Sequence, residues 1–212
     1  MNDQNRKSMN NLSEKIHVIT VMDYLAKECT IEQMTVSSIC NTAKIARSSF
    51  YRLFEDKYDA ANWYMHRTLD LGNRLTGINY TWYEGNLVTL SGCQIMRNLL
   101  SSAWHSPGYH GMMETGIRVR KQELLDVMSI REIEVTDELM FQIEAFAHLE
   151  SKIVRTWISE ENPRSVETIA SYIVPCVPRT LHDLLKDPID PKPCHKLALS
   201  DLYMGIGLLP EC

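Results

Sequence analysis

The stretch from Met34 to Lys57 constrains the fold most, because two short amphipathic patterns meet there at a tight turn. The first pattern starts at Thr35, whose hydroxyl can cap a helix, and its inward residues are Val36, Ile39, Cys40 and Ala43. The second pattern starts near Ala46, and its inward residues are Phe50, Leu53 and Phe54. The spacing therefore predicts a helix-turn-helix pair.

Longer helical patterns lie on both sides of this pair. Apolar residues recur at spacings of three and four over 12–26, and a long helix that includes Leu71 is expected from about Lys57. A further helix is expected from Asn86 to about Ser106, before the break at Pro107-Gly108. We expect one or two short helices between Gly111 and Glu134.

The clearest late helix spans about Asp137 to Ser159 and carries a wide apolar stripe. Asn162 and Pro163 are expected to open the next helix as its cap and first residue. That helix should run to Leu185 with a kink at Pro175 and Pro178.

Glycine and proline are too sparse to interrupt most of the chain. The 212 residues include 9 glycines and 8 prolines, and the prolines are concentrated after residue 160. With 44% hydrophobic residues, the chain is long enough to bury one core or two. We therefore expect an all-α protein.

Charge is distributed unevenly along the chain, whose net charge is −5. The first part, 1–67, carries a net +1, whereas 68–212 carries −6. Only the N-terminal third is therefore electrostatically suited to bind phosphate.

The six cysteines lie at positions 29, 40, 93, 176, 194 and 212, without a CxxC pair. This scatter predicts reduced, mostly buried thiols in place of a zinc site or a disulfide framework. The chain begins with polar residues, and no apolar run approaches the roughly 18 residues that span a membrane. We expect a cytoplasmic protein that does not associate with a membrane.

Titratable residues form no recognisable catalytic or metal-binding pattern. The histidines lack an i,i+4 pair with a third ligand, and the serines lack a G-x-S-x-G motif. Glu123 and Asp126 are expected on a solvated helix face. We expect no enzyme activity, no cofactor and no metal. A helical hydrolase or metalloenzyme is a further alternative, for which the sequence contains no motif.

The second helix of the pair has side chains suited to the major groove of DNA, which admits one helix. Arg47 can contact guanine with two hydrogen bonds or pair with a phosphate. Ser48 and Ser49 permit close backbone approach, and the hydroxyl of Tyr51 can reach a phosphate.

The order of residues over 34–57 resembles the DNA-binding motif of the TetR family, most specifically in Phe50-Tyr51 followed by Phe54 and Lys57. The resemblance covers about residues 12–67. It implies an all-α homodimer with an N-terminal three-helix helix-turn-helix DNA-binding domain at 1–57. The remainder, 58–212, would be a C-terminal helical ligand-binding and dimerisation domain.

The resemblance also implies roles for individual residues. Thr35 and Lys57 are expected to anchor phosphates at helix starts, where the helix dipole favours anions. The residues expected to face the groove are Arg47, Ser48, Ser49, Tyr51 and Arg52.

The chain departs from the family pattern at two positions. Lys44 stands where the family commonly has glycine, and a left-handed lysine costs about 1 kcal/mol. Ala46 stands where the family commonly has a Ser or Thr cap, whose loss costs about another 1 kcal/mol. We expect Lys44 to offset its cost by reaching a phosphate.

A small-molecule effector pocket within about 60–160 and a homodimer interface are further implications of the resemblance. The candidate pocket residues are Trp63, Trp104, Tyr109, Met112, Met113, Phe141 and Phe146. The homodimer is expected to form through about 137–159 and 163–185.

The expected function is a ligand-responsive DNA-binding transcriptional regulator, a repressor, that binds a near-palindromic operator as a homodimer. The alternative is a helical ligand-binding or interaction protein with a vestigial DNA-binding motif, which Lys44, Ala46 and the acidic total favour.

Overall fold

The computed structural model describes residues 3–106 and 111–204, and over those residues the backbone is helical without a β-strand. The expected all-α class is confirmed. The helices are α1 Asp3–Leu25, α2 Val36–Ala43, α3 Arg47–Leu53, α4 Lys57–Leu71, α5 Trp82–Ile95, α6 Arg97–Trp104, α7 Gly111–Ile130, α8 Asp137–Ile158, α9 Val166–Ile173, α10 Arg179–Leu185 and α11 Leu199–Met204. Short 3-10 turns occupy Asn73–Leu75 and Val174–Cys176.

The helices form two compact units. Unit 1 takes in the described residues of 1–64, 95–110 and 197–212, and unit 2 those of 65–94 and 111–196. Each unit is therefore assembled from separate stretches of chain. The boundary between residues 57 and 58, which the resemblance implies, stays a prediction.

Unit 1 is built around α1, which packs against α2, α3, α6 and α11. The inward residues Ile16, Ile19 and Met22 of α1 are completely buried, as are Ile39 of α2 and Phe50 of α3. The periodicity that predicted the first three helices therefore identified their inward faces correctly.

Asp23 of α1 caps the N-terminus of α6. Its carboxylate accepts a hydrogen bond from the backbone N–H of Leu99 at 2.9 Å and another from the side-chain amide of Asn98 at 3.0 Å. The helix predicted from Asn86 to Ser106 is thus two helices, α5 and α6, separated at Met96, whose φ is −114° and ψ is 44°. The prediction of one helix was wrong because the cap comes from a residue distant in sequence.

Unit 2 contains α5 and α7–α10, with α7 and α8 packed side by side. The buried rings of Trp82 and Phe146 meet edge to face at 5.5 Å between centroids. Gly72 allows the end of α4 to approach α5 closely, since a Cβ there would lie 2.3 Å from Thr89 Oγ1. A glycine therefore sets the spacing of these two helices.

The proline-rich segment 187–193 lies along the loop at 77–79. Backbone N–H groups of Ile189 and Asp190 donate to the carbonyls of Gly77 and Ile78 at 3.2 and 2.8 Å. Arg131 Nη1 ties the same region together by donating to the carbonyls of Gly77 and Asp187. The segment therefore forms part of unit 2.

Two further helix predictions need correction. The span 111–134 holds one long helix, α7, in place of one or two short ones. Ser165, not Asn162, caps α9 by accepting a hydrogen bond from the Thr168 N–H at 3.2 Å. The predicted kink is a complete break, because Pro175 and Pro178 leave a 3-10 turn between α9 and α10.

Candidate nucleic-acid interface

The helix-turn-helix begins at Thr35, which caps α2 as predicted. Its hydroxyl accepts a hydrogen bond from the Ser38 N–H at 3.0 Å, and its own N–H donates to Ser38 Oγ at 3.1 Å. These reciprocal bonds form a capping box and fix the first turn of α2. In these two bonds Thr35 donates through its backbone N–H and accepts through Oγ1, so its hydroxyl hydrogen is not used.

The turn between α2 and α3 is left-handed at Lys44, with φ 54° and ψ 42°. The N–H of Ile45 donates to the Cys40 carbonyl at 3.0 Å and closes the end of α2. The lysine therefore adopts the conformation that glycine usually supplies, at a cost of about 1 kcal/mol.

The second helix of the pair, α3, begins at Arg47, and the preceding Ala46 provides no side-chain cap. Phe50 and Leu53 are buried, whereas Arg47, Ser48, Tyr51 and Arg52 are exposed. The predicted inward face of α3 is confirmed, and the predicted groove-facing residues lie on its outer side, Ser49 being half-buried.

Both arginines of α3 contact polar side chains within unit 1. Arg47 Nη1 donates to Ser37 Oγ at 3.3 Å, and Arg52 Nη2 forms an ion pair with Glu14 Oε2 of α1. Both guanidinium groups are exposed, so these contacts exchange readily with water and with other anions.

Lys57 lies at the start of α4 and uses its ammonium group internally. Nζ donates to the carbonyl oxygens of Glu32 and Met34, both at 2.8 Å. These bonds fix the loop before α2, so the role of Lys57 as a phosphate anchor stays a prediction. Asp56 caps α4 by accepting from the N–H groups of Tyr58 and Asp59.

A second lysine, Lys15 of α1, was not singled out by the sequence. Its ammonium lies 4.9 Å from the ring centroids of both Phe54 and Trp63. Burial lowers the pKa of Lys15, although the nearby Asp59 raises it. The apolar side of the helix-turn-helix therefore contains a cation that periodicity alone could not place.

A groove of about 350 Å³ is lined by residues of α1, the turn and α3. This α1–α3 groove is lined by Glu14, His17, Lys44, Ala46, Ser49 and Arg52, among others. His17 Nε2 donates to the Ala43 carbonyl at 3.0 Å and so attaches α1 to the residue before the turn. Lys44, Arg52 and the exposed carboxylate of Glu14 therefore line the same groove.

The predicted effector-pocket residues fall in different surroundings. Trp63 and Trp104 belong to unit 1, and Trp63 packs against Phe54. Met113, Phe141 and Phe146 belong to unit 2, where Phe141 is 72% exposed and Phe146 is buried. Tyr109 and the side chain of Met112 lie outside the described part of the chain. The pocket stays a prediction.

Unit 2 contains a buried charge cluster that the sequence did not reveal. Arg120 Nε donates to Glu150 Oε2 at 2.6 Å, and Nη1 donates to the Asn73 carbonyl at 3.1 Å and to Glu123 Oε2 at 3.4 Å. Glu123 was expected on a solvated face, yet it is only 4% exposed. Burial raises its pKa to about 7, partly opposed by Arg120.

Glu123 also lines a cleft of about 370 Å³ in unit 2, formed between α4, the following 3-10 turn and α7. The other titratable lining residues are His66, Asp70, Arg74, Arg118 and Asp126. Burial lowers the pKa of His66, so that this imidazole is predominantly neutral at pH 7. The cleft presents charges of both signs.

The cysteines follow the prediction only in part. Cys40 and Cys93 are buried, Cys29 and Cys194 are half-buried, and Cys176 is exposed; Cys212 lies outside the described residues. These five are free thiols, and burial raises the pKa of Cys93 to about 12. Within 3–106 and 111–204, His, Cys, Asp and Glu residues form no group of three that could hold a metal ion.

None of the helices over the described ranges combines the length and the apolar character needed to cross a membrane.

Solved structures show a similar arrangement of helices. One, described as "Dihydroxyacetone kinase operon activator DhaS", has 20% sequence identity and a TM-score of 0.60, over 82% of this chain and 98% of that one. A second, a TetR transcriptional regulator from Rhodococcus sp. RHA1, has 17% identity and a TM-score of 0.49, over 81% and 96%. The chain matches no protein-family model and no curated protein sequence. At this identity, the likeness to DhaS establishes the fold.

Proposed function

We propose that this chain, which has the TetR-type fold, is a DNA-binding transcriptional regulator. The observation that carries the proposal is the outer face of α3. Arg47, Ser48, Tyr51 and Arg52 are exposed together there, while Phe50 is buried on the other side of the helix, which packs against α1 and α2. A short helix held in this way and bearing basic and small residues fits the major groove.

Contacts to phosphate and to bases would have separate tasks. Tyr51, Arg52 and Lys44 are exposed and would contact the DNA backbone, which would position the protein. Arg47 would supply specificity, since a guanidinium can form two hydrogen bonds with guanine. Because Arg47 is exposed and, among the described residues, its side chain donates only to Ser37 Oγ, it can reorient.

A homodimer through 137–159 and 163–185 belongs to the same proposal. Phe141, Ala145 and Leu149 are exposed at four-residue intervals and so lie along one face of α8. Tyr172 on α9 is 57% exposed. Exposed aromatic and aliphatic residues on helices of one unit support a contact with a second copy, which would place two recognition helices on a near-palindromic operator.

Ligand response is the third part of the proposal. A small molecule bound within about 60–160 would favour one arrangement of the protein over another and so change its DNA affinity. The cleft at His66 and Glu123 lies in this span and offers polar groups. We propose repression as the outcome; the similar protein DhaS is described as an activator, so a reporter gene must decide the sign for this chain.

The alternative function is a helical ligand-binding or interaction protein whose DNA-binding motif is vestigial. The left-handed Lys44, the uncapped Ala46 and the internal bonds of Lys57 favour this alternative. The first two features make the helix-turn-helix less stable, and the internal bonds occupy the ammonium group of Lys57 that a phosphate contact would use.

Selection of random duplexes on purified protein tests the two functions. We expect enrichment of a near-palindromic site by the wild-type protein and loss of that enrichment in Arg47→Ala. Lys186→Ala is the control, because Lys186 is an exposed basic residue of unit 2 that lies outside the cleft and outside 137–159 and 163–185, and it should leave enrichment unchanged. No enrichment by the wild-type protein at low salt would support the alternative.

A further inference from the structure

We propose that Glu14 of α1 controls the access of Arg52 to the DNA backbone, by holding its guanidinium beside the α1–α3 groove until a phosphate displaces the carboxylate. This inference rests on the proposed DNA binding and adds a residue outside the helix-turn-helix to it. Glu14 would be a positioning residue, because it acts through Arg52.

The first support is the ion pair itself. Arg52 Nη2 donates to Glu14 Oε2, and the two side chains are 55% and 48% exposed. An ion pair this exposed is weak and exchanges on contact with another anion. The carboxylate can therefore restrain Arg52 in the free protein without preventing it from binding DNA.

The second support is the way α1 is fixed beside the turn. His17 lies three residues after Glu14, on the same side of α1, and donates to the Ala43 carbonyl at 3.0 Å. Ala43 precedes Lys44, so this bond sets the position of α1 relative to the turn. Glu14 is thereby held opposite Arg52 by a contact that does not involve either charge.

The third support is the composition of the groove. Glu14 is the one acidic residue among the described residues that line it, and Lys44 and Arg52 are basic. A guanidinium binds phosphate and carboxylate with the same planar geometry, so the two anions compete for Arg52. A DNA phosphate can bind Arg52 only after the guanidinium has separated from Glu14. The negative charge of Glu14 also repels the duplex.

The test compares Glu14→Gln with the wild-type protein for binding of a fluorescent random-sequence duplex at low salt. Glutamine keeps the shape of the side chain but loses its charge. We expect the affinity to rise about fivefold, the factor that corresponds to an exposed ion pair at the strong end of its range. Circular dichroism checks that each variant is folded.

Two further variants separate this pair from a general effect of charge. Glu55→Gln removes an exposed carboxylate of unit 1 that forms no ion pair with Arg52 in the structure, and we expect a smaller gain. In an Arg52→Ala background, Glu14→Gln should raise the affinity no more than Glu55→Gln does in the wild-type protein, because only the general effect of charge remains. A gain that stays near fivefold in that background, or that Glu55→Gln reproduces in full, would overturn the inference.

Failure of the inference differs from failure of the proposed function. If the wild-type protein binds the duplex and Glu14→Gln binds it equally well, Glu14 does not control Arg52 and only this inference fails. If neither the wild-type protein nor any variant binds duplex at low salt, the proposed DNA binding fails, and this inference with it.

Discussion

Arg120 and Glu150 form an ion pair inside unit 2, with Nε 2.6 Å from Oε2 and side chains that are 2% and 4% exposed. Glu123 shares the same guanidinium, so two carboxylates depend on one cation. A buried pair of this kind is costly to break, because the partner that remains is charged and without water.

Arg120→Ala should therefore destabilise the protein strongly. The substitution leaves Glu123 and Glu150 buried together without a cation, and we expect a loss of about 3–5 kcal/mol in the free energy of unfolding. Urea denaturation measures it. Arg118→Ala, an exposed arginine of the same helix, should change the value by less than about 0.5 kcal/mol. Equal effects of the two substitutions would contradict the structural role of Arg120.

Glu123 should make stability depend on pH. Burial raises the pKa of Glu123 from 4.5 to about 7, so the folded protein favours the protonated acid. The stabilisation from this proton is fully present below the unfolded pKa and is lost as the pH rises to about 7. Glu123→Gln should lack this dependence.

The measurement is the free energy of unfolding of wild type and Glu123→Gln between about pH 5 and pH 8. We expect the difference between the two proteins to change by up to about 3 kcal/mol in favour of glutamine as the pH rises. Glu134→Gln removes an exposed carboxylate and is the control. A difference that does not vary with pH would mean that Glu123 is ionised throughout.

Lys44→Gly should stabilise unit 1. Glycine adopts the left-handed conformation without the steric cost of a Cβ, so we expect a gain of about 1 kcal/mol in thermal or urea unfolding. Lys44→Ala keeps the Cβ and should give no such gain. If Lys44→Gly leaves both DNA affinity and its salt dependence unchanged, the proposed contact between Lys44 and a phosphate is wrong.

Asp23→Ala should weaken the attachment of α6 in unit 1. It leaves the Leu99 N–H without an acceptor and removes a helix cap, at a cost of about 1–2 kcal/mol. Asp23→Asn keeps one side-chain oxygen as an acceptor and should cost less. Hydrogen exchange at the Leu99 amide should become faster in the alanine variant. Unchanged exchange would show that Asp23 does not cap α6.

The sequence predicted features that depend on neighbouring residues and missed those that depend on distant ones. Apolar spacing located α1–α4 and α8, and Thr35 predicted its own cap, because these signals lie within a few residues. The break at Met96 depends on Asp23, and the charges around Glu123 include Asp70 of α4 and Glu150 of α8. Neither contact leaves a pattern in the segment that it changes.

In the candidate site, too, some features could be predicted from neighbouring residues and others could not. The exposure of Arg47 and Tyr51 and the burial of Phe50 follow from helical periodicity, so α3 could be oriented in advance. The partners of Arg52 and Lys57 could not, since Glu14 and the carbonyl of Glu32 come from other elements. Periodicity shows which side of a helix is exposed, but not which groups its charges meet.

Phe141→Glu tests the proposed homodimer. Phe141 is 72% exposed on α8, in line with Ala145 and Leu149, so a charge there would be buried without a partner in a dimer and solvated in a monomer. We expect sedimentation to show a dimer for the wild-type protein and a monomer for the variant at micromolar concentration, with helical content unchanged. Tyr24→Glu places the same charge at an exposed aromatic residue of α1 and should stay dimeric, because it lies outside 137–159 and 163–185. A wild-type protein that sediments as a monomer would show that the exposed face of α8 does not join two copies. Two copies of α3 could then bind one operator only through another interface.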